Sequence, residues 1–133
     1  MIDHLDAVVG QERIKEFIRT GIKKDKLYNL FFAGPRGVGK RTMGFALAST
    51  LGCPPGSAHF HLVVPIPSRI KDKREKIEEY TKDYMPDKLV VQVEDRASIL
   101  IEQIHNLEER LVHMPAVGKK RVVLILEADL MTD

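Results

Sequence analysis

The sequence is poor in several residue types, and each shortage excludes a class of protein. A single cysteine, Cys53, among 133 residues permits no internal disulfide and cannot by itself form a structural zinc site. Tryptophan is absent, aromatic residues make up 6%, and a net charge of +2 is too small to indicate nucleic-acid binding. No apolar run is long enough for a transmembrane helix, and the polar residues 1–6 do not resemble a signal peptide. We therefore expect a globular domain without a membrane segment, placed in a reducing cytoplasm.

The chain does contain an alternation of amphipathic and wholly apolar segments. Hydrophobic periodicity predicts helices over residues 10–24, 40–51 and 98–112, the last with Ser98 as its N-cap. In the first helix the apolar stripe is expected to comprise Ile14, Phe17, Ile18 and Ile22. Short apolar runs predict buried strands over residues 27–33, 60–64 and 121–126. Helices that alternate with such strands predict an α/β fold with a mostly parallel sheet.

A charged stretch interrupts this alternation. Residues 71–79 contain four positive and four negative side chains, so they do not form a basic patch. We interpret residues 71–84 as a solvated helix within a surface insert that covers about residues 68–95.

One loop carries a recognisable chemistry. Residues 34–40 read Gly-Pro-Arg-Gly-Val-Gly-Lys and fit the G-x-x-x-x-G-K pattern of a phosphate-binding loop. Glycines allow successive backbone N–H groups to converge on a phosphate, and the following helix presents its positive end there. A glycine-rich turn with a chance lysine is the alternative, and the strand–loop–helix order argues against it. The residues expected to contact a nucleotide are Gly34, Pro35, Arg36, Gly37, Val38, Gly39, Lys40, Arg41 and Thr42.

At both positions where the motifs have a magnesium ligand, this sequence has a side chain without an oxygen atom. The pattern requires Ser or Thr after the lysine, but Arg41 stands there and Thr42 follows one residue later, about 100° further round the helix. Strand 121–126 matches the apolar half of a Walker B motif, but Leu126 occupies the position of the magnesium-binding Asp. The sequence therefore predicts no metal site and argues against efficient hydrolysis, with Glu127 as the only candidate catalytic residue.

Three motifs together resemble an AAA+ ATPase domain: Val-Gly-Gln-Glu at residues 9–12, the loop at 34–42, and LILEADLM at 124–131. Within that superfamily the chain is most similar to the delta-prime subunit family of the bacterial DNA polymerase III clamp loader. That likeness is carried by GKRT at residues 39–42, HFHLVVP at 59–65, ILIEQIHNL at 99–107 and PAVGKKRVVLI at 115–125.

The resemblance implies a P-loop NTPase fold, a three-layer sandwich with a parallel sheet, truncated after the Walker B strand. Residues 1–133 would then be a partial nucleotide-binding domain whose lid and collar domains are absent, and Val9 would join the nucleotide contacts. The missing strand leaves two outcomes open: segments 27–33 and 121–126 pair directly, or a neighbouring copy fills the gap between them. In the second case the chain would self-associate.

The resemblance also implies a function in DNA replication. The chain would assemble with other clamp-loader subunits into the complex that loads the sliding clamp onto primed DNA, with little or no ATP hydrolysis of its own. ATP or ADP is expected to bind weakly, and the two lost oxygen ligands argue against magnesium. The four-cysteine zinc module common in the family has only Cys53 in its place, so we expect no zinc and a buried Cys53.

Departures from the family and rival interpretations remain. His59 and His61 are predicted to lie on opposite faces of the second strand without a metal role, and His105 stands where the family often has a DNA-contacting arginine.

An active AAA+ ATPase, for example a motor-type clamp-loader subunit rescued by Glu127 and Thr42, is the main alternative. A small P-loop kinase is a further one, although it too needs the Ser or Thr hydroxyl, and a generic binding domain comes last.

Overall fold

In a computed structural model the chain forms helices α1 (Glu12–Lys23) and α2 (Lys40–Thr50) before its strands begin, and α3 (Ile101–His113) before the last of four strands. The strands are β1 (Phe60–Val63), β2 (Ile66–Pro67), β3 (Ala97–Ser98) and β4 (Val122–Ile125), and 3-10 turns lie at Leu5–Ala7 and Ala128–Leu130. The structure describes residues 3–27, 29–35, 37–67, 81–82, 84–85, 97–99, 101–113 and 121–130.

The central pairing is parallel and joins segments far apart in sequence. Strand β1 runs beside β4, with Phe60 opposite Val122 and Val63 opposite Ile125. The backbone N–H of Leu126 then donates to the carbonyl of Val63 at 2.9 Å, which extends the ladder by one residue. The prediction of an α/β fold with parallel strands is therefore confirmed. Strands β2 and β3 form a separate two-residue antiparallel pair.

Helix α2 is almost entirely buried, as its composition predicted. Its buried residues are Met43, Gly44, Phe45, Ala46, Leu47, Ala48 and Thr50. One side packs against Leu5, Val8 and Ile18, and the other packs against Cys53 and Phe60 on the sheet side. Cys53 is buried, which confirms its predicted place as a small apolar residue. A helix enclosed on both sides holds the phosphate-binding loop against the sheet.

The predicted strand over residues 27–33 is wrong. Residue 27 and residues 29–33 form no strand, and Phe31 is 76% exposed, whereas Phe32 packs against the α1–α2 core. A strand requires a hydrogen-bonded neighbour, and among the described residues neither sheet, β1 with β4 or β2 with β3, includes residue 27 or residues 29–33. The hypothesis that segments 27–33 and 121–126 pair directly is wrong for the same reason.

Helix α1 has the predicted extent within two residues, but its apolar stripe is only half buried. Ile18 is buried and Ile22 packs beside it, as expected. Ile14 is exposed and Phe17 is 66% exposed, so that part of the prediction is wrong. The buried neighbour of Ile18 is a charged residue, Lys15, whose side chain the N-terminal segment covers.

Helix α3 begins at Ile101 rather than at Ser98. Ser98 lies in β3 opposite Ile66, so its predicted role as N-cap is wrong. The buried Gln103 donates its side-chain amide to the carbonyl of Val64 at 2.8 Å, and this bond fixes α3 against the end of β1. Of the predicted insert 68–95, only residues 81–82 and 84–85 are described, and the predicted helix at 71–80 lies outside the described residues.

The described helices are too short and too polar to cross a membrane.

Candidate nucleotide-binding site

The loop that precedes α2 has the backbone geometry that its glycines allow. Gly37 and Gly39 have φ of 82° and 97°, in the left-handed region that favours glycine. A Cβ atom at Gly39 would lie 3.2 Å from Cγ1 of Val8, whereas one at Gly37 would meet nothing within 4 Å. Gly39 is therefore held by close packing as well as by its backbone angles. Gly34, Pro35 and Gly37 are exposed, and Arg36 lies outside the described residues.

Lys40 is the first residue of α2 and spans the loop. Its Nζ donates to the carbonyl oxygen of Gly34, so the side chain closes the loop from its last residue back to its first. The first N–H groups of a helix have no partner within the helix, and its dipole makes that end positive. Backbone N–H groups at the start of a helix, an ammonium group and a glycine-rich loop are suited to hold a phosphate.

The N-terminal segment lies next to this loop. Val8 is buried against Gly39, and the following Val9 is 95% exposed. The backbone N–H of His4 donates to Oγ1 of Thr50 at 2.9 Å, which fastens the segment to the far end of α2. Val9 therefore presents an open apolar side chain one residue away from the loop contact, where the flat face of a nucleotide base could pack.

Charged contacts tie the same segment to α1. Arg19 donates to Asp3 at 2.6 Å and to Asp6 at 3.1 Å, and these bonds lower the pKa of both carboxyl groups. The two carboxylates in turn raise the pKa of Arg19. The Nζ atom of Lys15, a residue only 2% exposed, lies 3.4 Å from carboxylate oxygens of Asp6 and Glu12. Since these carboxylates are mostly solvent-exposed, the contacts orient the segment more than they stabilise it.

Arg41 does not extend freely from the first turn of α2. Its Cζ atom lies 5.2 Å from the centre of the Tyr84 ring. Tyr84 is 6% exposed and packs with Val64 and Leu126, the residues that follow the paired ends of β1 and β4. The neighbouring Thr42 is exposed. A guanidinium group thus stands where the phosphate-binding pattern has a hydroxyl.

The residue that follows β4, where the Walker B motif has a metal ligand, has an apolar side chain. Leu126 is buried in the cluster with Val64 and Tyr84, so this position contributes to the core. Glu127 is exposed and has φ of 54°, an uncommon conformation for a residue other than glycine. Asp129 is exposed within the following 3-10 turn. Within the described part of the chain no three His, Cys, Asp or Glu residues converge as metal ligands.

The pattern-based reasoning missed a cluster of basic groups beside β1. Side chains two residues apart in an extended segment lie on the same face, so the prediction that His59 and His61 lie on opposite faces is wrong. Burial lowers the pKa of His61, and Arg110, Arg121 and His59 lower it further. The ring atoms His59 Nδ1 and His61 Nε2 are buried without a hydrogen-bond partner among the described residues. The alternation of the strand was the signal that could have found this cluster.

Comparison with known proteins places the chain in a family. The sequence profile described as "DNA polymerase III, delta subunit" matches residues 10–133. DNA polymerase III subunit tau of Escherichia coli (strain K12) is 26% identical over 126 residues, which are 94% of this chain and 18% of that protein. Replication factor C small subunit of Methanothermobacter thermautotrophicus is 46% identical over 44 residues, 33% of this chain and 14% of that protein. No solved structure gives a significant match.

The relatives are much longer than this chain. DNA polymerase III subunit tau/gamma of Haemophilus influenzae is also 26% identical over 126 residues, which are 94% of this chain but 17% of that protein. The chain thus spans less than a fifth of the length of the tau relatives that it matches. The family profile covers nearly the whole of it, and the loop, the helix α2 and the parallel strands fit the same conclusion. The chain belongs to the DNA polymerase III delta-subunit family of clamp-loader AAA+ proteins.

Proposed function

We propose that this chain is a delta-prime-type subunit that assembles with other clamp-loader subunits and hydrolyses ATP weakly or not at all. The observation that supports this most directly is the metal side of the loop, where Arg41 lies over Tyr84 and Leu126 is buried beneath them. Phosphoryl transfer to water needs a cation held by oxygen ligands and a base that orients the water. An arginine and a leucine at those positions supply neither.

On this proposal the subunit contributes structure to the complex in the cytoplasm, and the complex acts on the sliding clamp and primed DNA. The loop retains weak binding of ATP or ADP. Lys40 and the backbone N–H groups around Gly37 and Gly39 would contact the phosphates, and Val9 would contact the base. Zinc has no part in this proposal, since the only cysteine, Cys53, is buried in the apolar core.

Copurification tests the assembly role. The full protein, produced together with the other subunits of its clamp loader, is expected to elute with them as one complex of defined stoichiometry. The Lys40→Ala variant is expected to enter the same complex, because assembly does not require hydrolysis by this subunit. Failure of the wild-type protein to join any such complex would overturn the assembly role.

A hydrolysing AAA+ ATPase is the second candidate, because Glu127 is the first acid after β4. Its exposed side chain would have to turn towards the phosphates to orient a water molecule. Steady phosphate release that requires Mg²⁺, and that Glu127→Gln removes, would favour this candidate. Our proposal predicts no difference between the wild-type protein and Glu127→Gln in that assay. A metabolite kinase has lost its support, since the family match covers residues 10–133.

A further inference from the structure

The contact between Arg41 and Tyr84 joins two distant parts of the chain at the loop. Arg41 is the second residue of α2, and Tyr84 belongs to the short described stretch after residue 80. The distance of 5.2 Å from Cζ to the ring centre lies within the range of a cation–π interaction. Tyr84 is itself packed between Val64 and Leu126, so its ring has little freedom to move. The guanidinium group is therefore held by a fixed surface.

This arrangement leaves the arginine able to bind an anion. A guanidinium group that lies over a ring still has N–H donors along its edge, and those donors match the oxygen spacing of a phosphate. An unsupported arginine would lose much of its side-chain conformational entropy when it became ordered on a ligand. Contact with Tyr84 orders the side chain in advance, which lowers that cost.

The contact between Arg41 and Tyr84 also lies at the edge of the sheet where a ligand is expected, the carboxyl ends of the parallel strands. Val64 and Leu126 directly follow the last pair of the parallel ladder, Val63 with Ile125, so Tyr84 marks the carboxyl ends of β1 and β4. In open α/β sheets ligands bind at this edge. Arg41 directly follows Lys40 of the phosphate-binding loop, so its contact with Tyr84 brings this edge of the sheet next to the loop.

We propose that Tyr84 is a positioning residue that holds Arg41 as a built-in cation, so that the loop binds the phosphates of a nucleoside triphosphate without magnesium. The inference rests on the proposed function in one respect, that the loop binds nucleotide at all. Arg41 supplies the positive charge that a metal ion supplies in related loops. Tyr84 does not touch the ligand and acts only through Arg41.

The test is equilibrium binding of fluorescent ATP to the full protein, once in excess EDTA and once with Mg²⁺. The wild-type protein is expected to bind with similar affinity in both conditions. Tyr84→Phe keeps the ring and should bind as the wild type does. Tyr84→Leu keeps a smaller apolar side chain but removes the π-system, and it should weaken binding in EDTA by about threefold to thirtyfold, which corresponds to ~0.7–2 kcal/mol.

Two further variants separate positioning from a general effect on folding. Arg41→Lys keeps the charge but loses the flat guanidinium, and it should weaken binding in EDTA about as much as Tyr84→Leu does. In an Arg41→Ala background, Tyr84→Leu should cause no additional loss, because the two residues act as one unit. Thermal unfolding of each variant checks that the fold persists; if Tyr84→Leu unfolds, the comparison of Arg41→Lys with Tyr84→Phe still decides.

The outcomes are distinguishable. Absence of ATP binding by the wild-type protein in both conditions would remove the nucleotide-holding part of the proposed function together with this inference, while copurification would still test assembly. Binding that requires Mg²⁺, equal binding in EDTA by the wild type and Tyr84→Leu, or additive losses in the double variant would overturn the inference alone.

Discussion

Single side chains decide what chemistry this site can perform. In the proposed function, Lys40 and the glycines at 37 and 39 supply the contacts to phosphate. Arg41 and Leu126, one at each metal position, replace oxygen ligands by a guanidinium group and an isobutyl group. Such a site can bind an anion and still lack metal-dependent hydrolysis. The groups that contact phosphate and the groups that bind the metal ion belong to different residues.

Arg41→Thr should restore magnesium dependence to nucleotide binding. The substitution places a hydroxyl directly after Lys40, where the phosphate-binding pattern has its metal ligand. We expect binding in EDTA to weaken, because the built-in charge is gone, and binding with Mg²⁺ to exceed it by about tenfold, or ~1.4 kcal/mol. Fluorescent ATP titrations with and without Mg²⁺ measure the effect. Arg41→Val is the matched control, since it has the shape of threonine without the hydroxyl, and it should gain nothing from Mg²⁺; a variant Arg41→Thr that ignores Mg²⁺ would contradict the assignment.

His61 should make the stability of the domain depend on pH. Burial and the charges of Arg110, Arg121 and His59 place its folded pKa below the ordinary value of 6.5. The unfolded chain therefore takes up a proton first as the pH falls, so the contribution of His61 to stability is constant above 6.5 and declines as the pH drops through that value towards the folded pKa. Urea unfolding across this range should show a steeper decline for the wild type than for His61→Asn. His105→Asn, at an exposed position on α3, should retain the wild-type slope; an unchanged slope in His61→Asn would refute the prediction.

At the scale of secondary-structure elements, the packing of α2 on β4 places the loop. Gly44 permits this close approach, because a Cβ atom there would lie 2.7 Å from Cδ1 of Leu124. Gln103 performs a similar task for α3 through its bond to the carbonyl of Val64. Both contacts join elements far apart in sequence: the first packs α2 on β4, and the second holds α3 against the end of β1.

Gly44→Val should destabilise the domain by about 1–3 kcal/mol, since the new side chain overlaps Leu124 in a packed core. Chemical denaturation measures the change through the midpoint and the slope. Leu124→Ala alone should also destabilise, by about 2–5 kcal/mol. The double variant Gly44→Val/Leu124→Ala should lose less than the sum of the two, because the cavity accommodates the added methyl groups. Strictly additive losses would show that Gly44 does not govern this contact.

At the scale of the whole molecule, one side of the domain exposes apolar surface. Phe17 and Leu30 line a groove between α1 and the segment that follows it, and Phe31 lies exposed beyond them. Basic residues Arg13 and Lys24 border the same groove. An exposed apolar segment is a typical surface for association with another chain. That a neighbouring copy fills the gap between segments 27–33 and 121–126, the second outcome stated above, stays a prediction, and this exposed surface is where the copy would be expected to bind.

This 133-residue chain should therefore self-associate in solution through residues 29–33. Phe31→Asp places a charge in the exposed apolar segment and should shift the chain towards the monomer, as measured by sedimentation velocity over a range of concentrations. Asn106→Asp introduces the same charge on exposed α3 and should leave the association unchanged. A wild-type chain that stays monomeric at every concentration would end this hypothesis.

The sequence by itself determined the features that depend on neighbouring residues. The glycine spacing identified the loop, the apolar run after Lys40 identified a buried α2, and short β-type runs identified β1 and β4, because turn chemistry and hydrophobic periodicity are local properties. The prediction that both metal-binding positions lack an oxygen ligand also came from the sequence, since it needs only the order of residues.

Tertiary structure alone decided the features that depend on distant partners. Residues 29–33 form no strand because a ladder requires a neighbour that periodicity cannot supply, and Ser98 joins β3 because Ile66 lies opposite it. The contact of Arg41 with Tyr84 and the burial of Lys15 likewise depend on where remote segments pack. Each of these is set by long-range packing, which overrides local preference when the two compete.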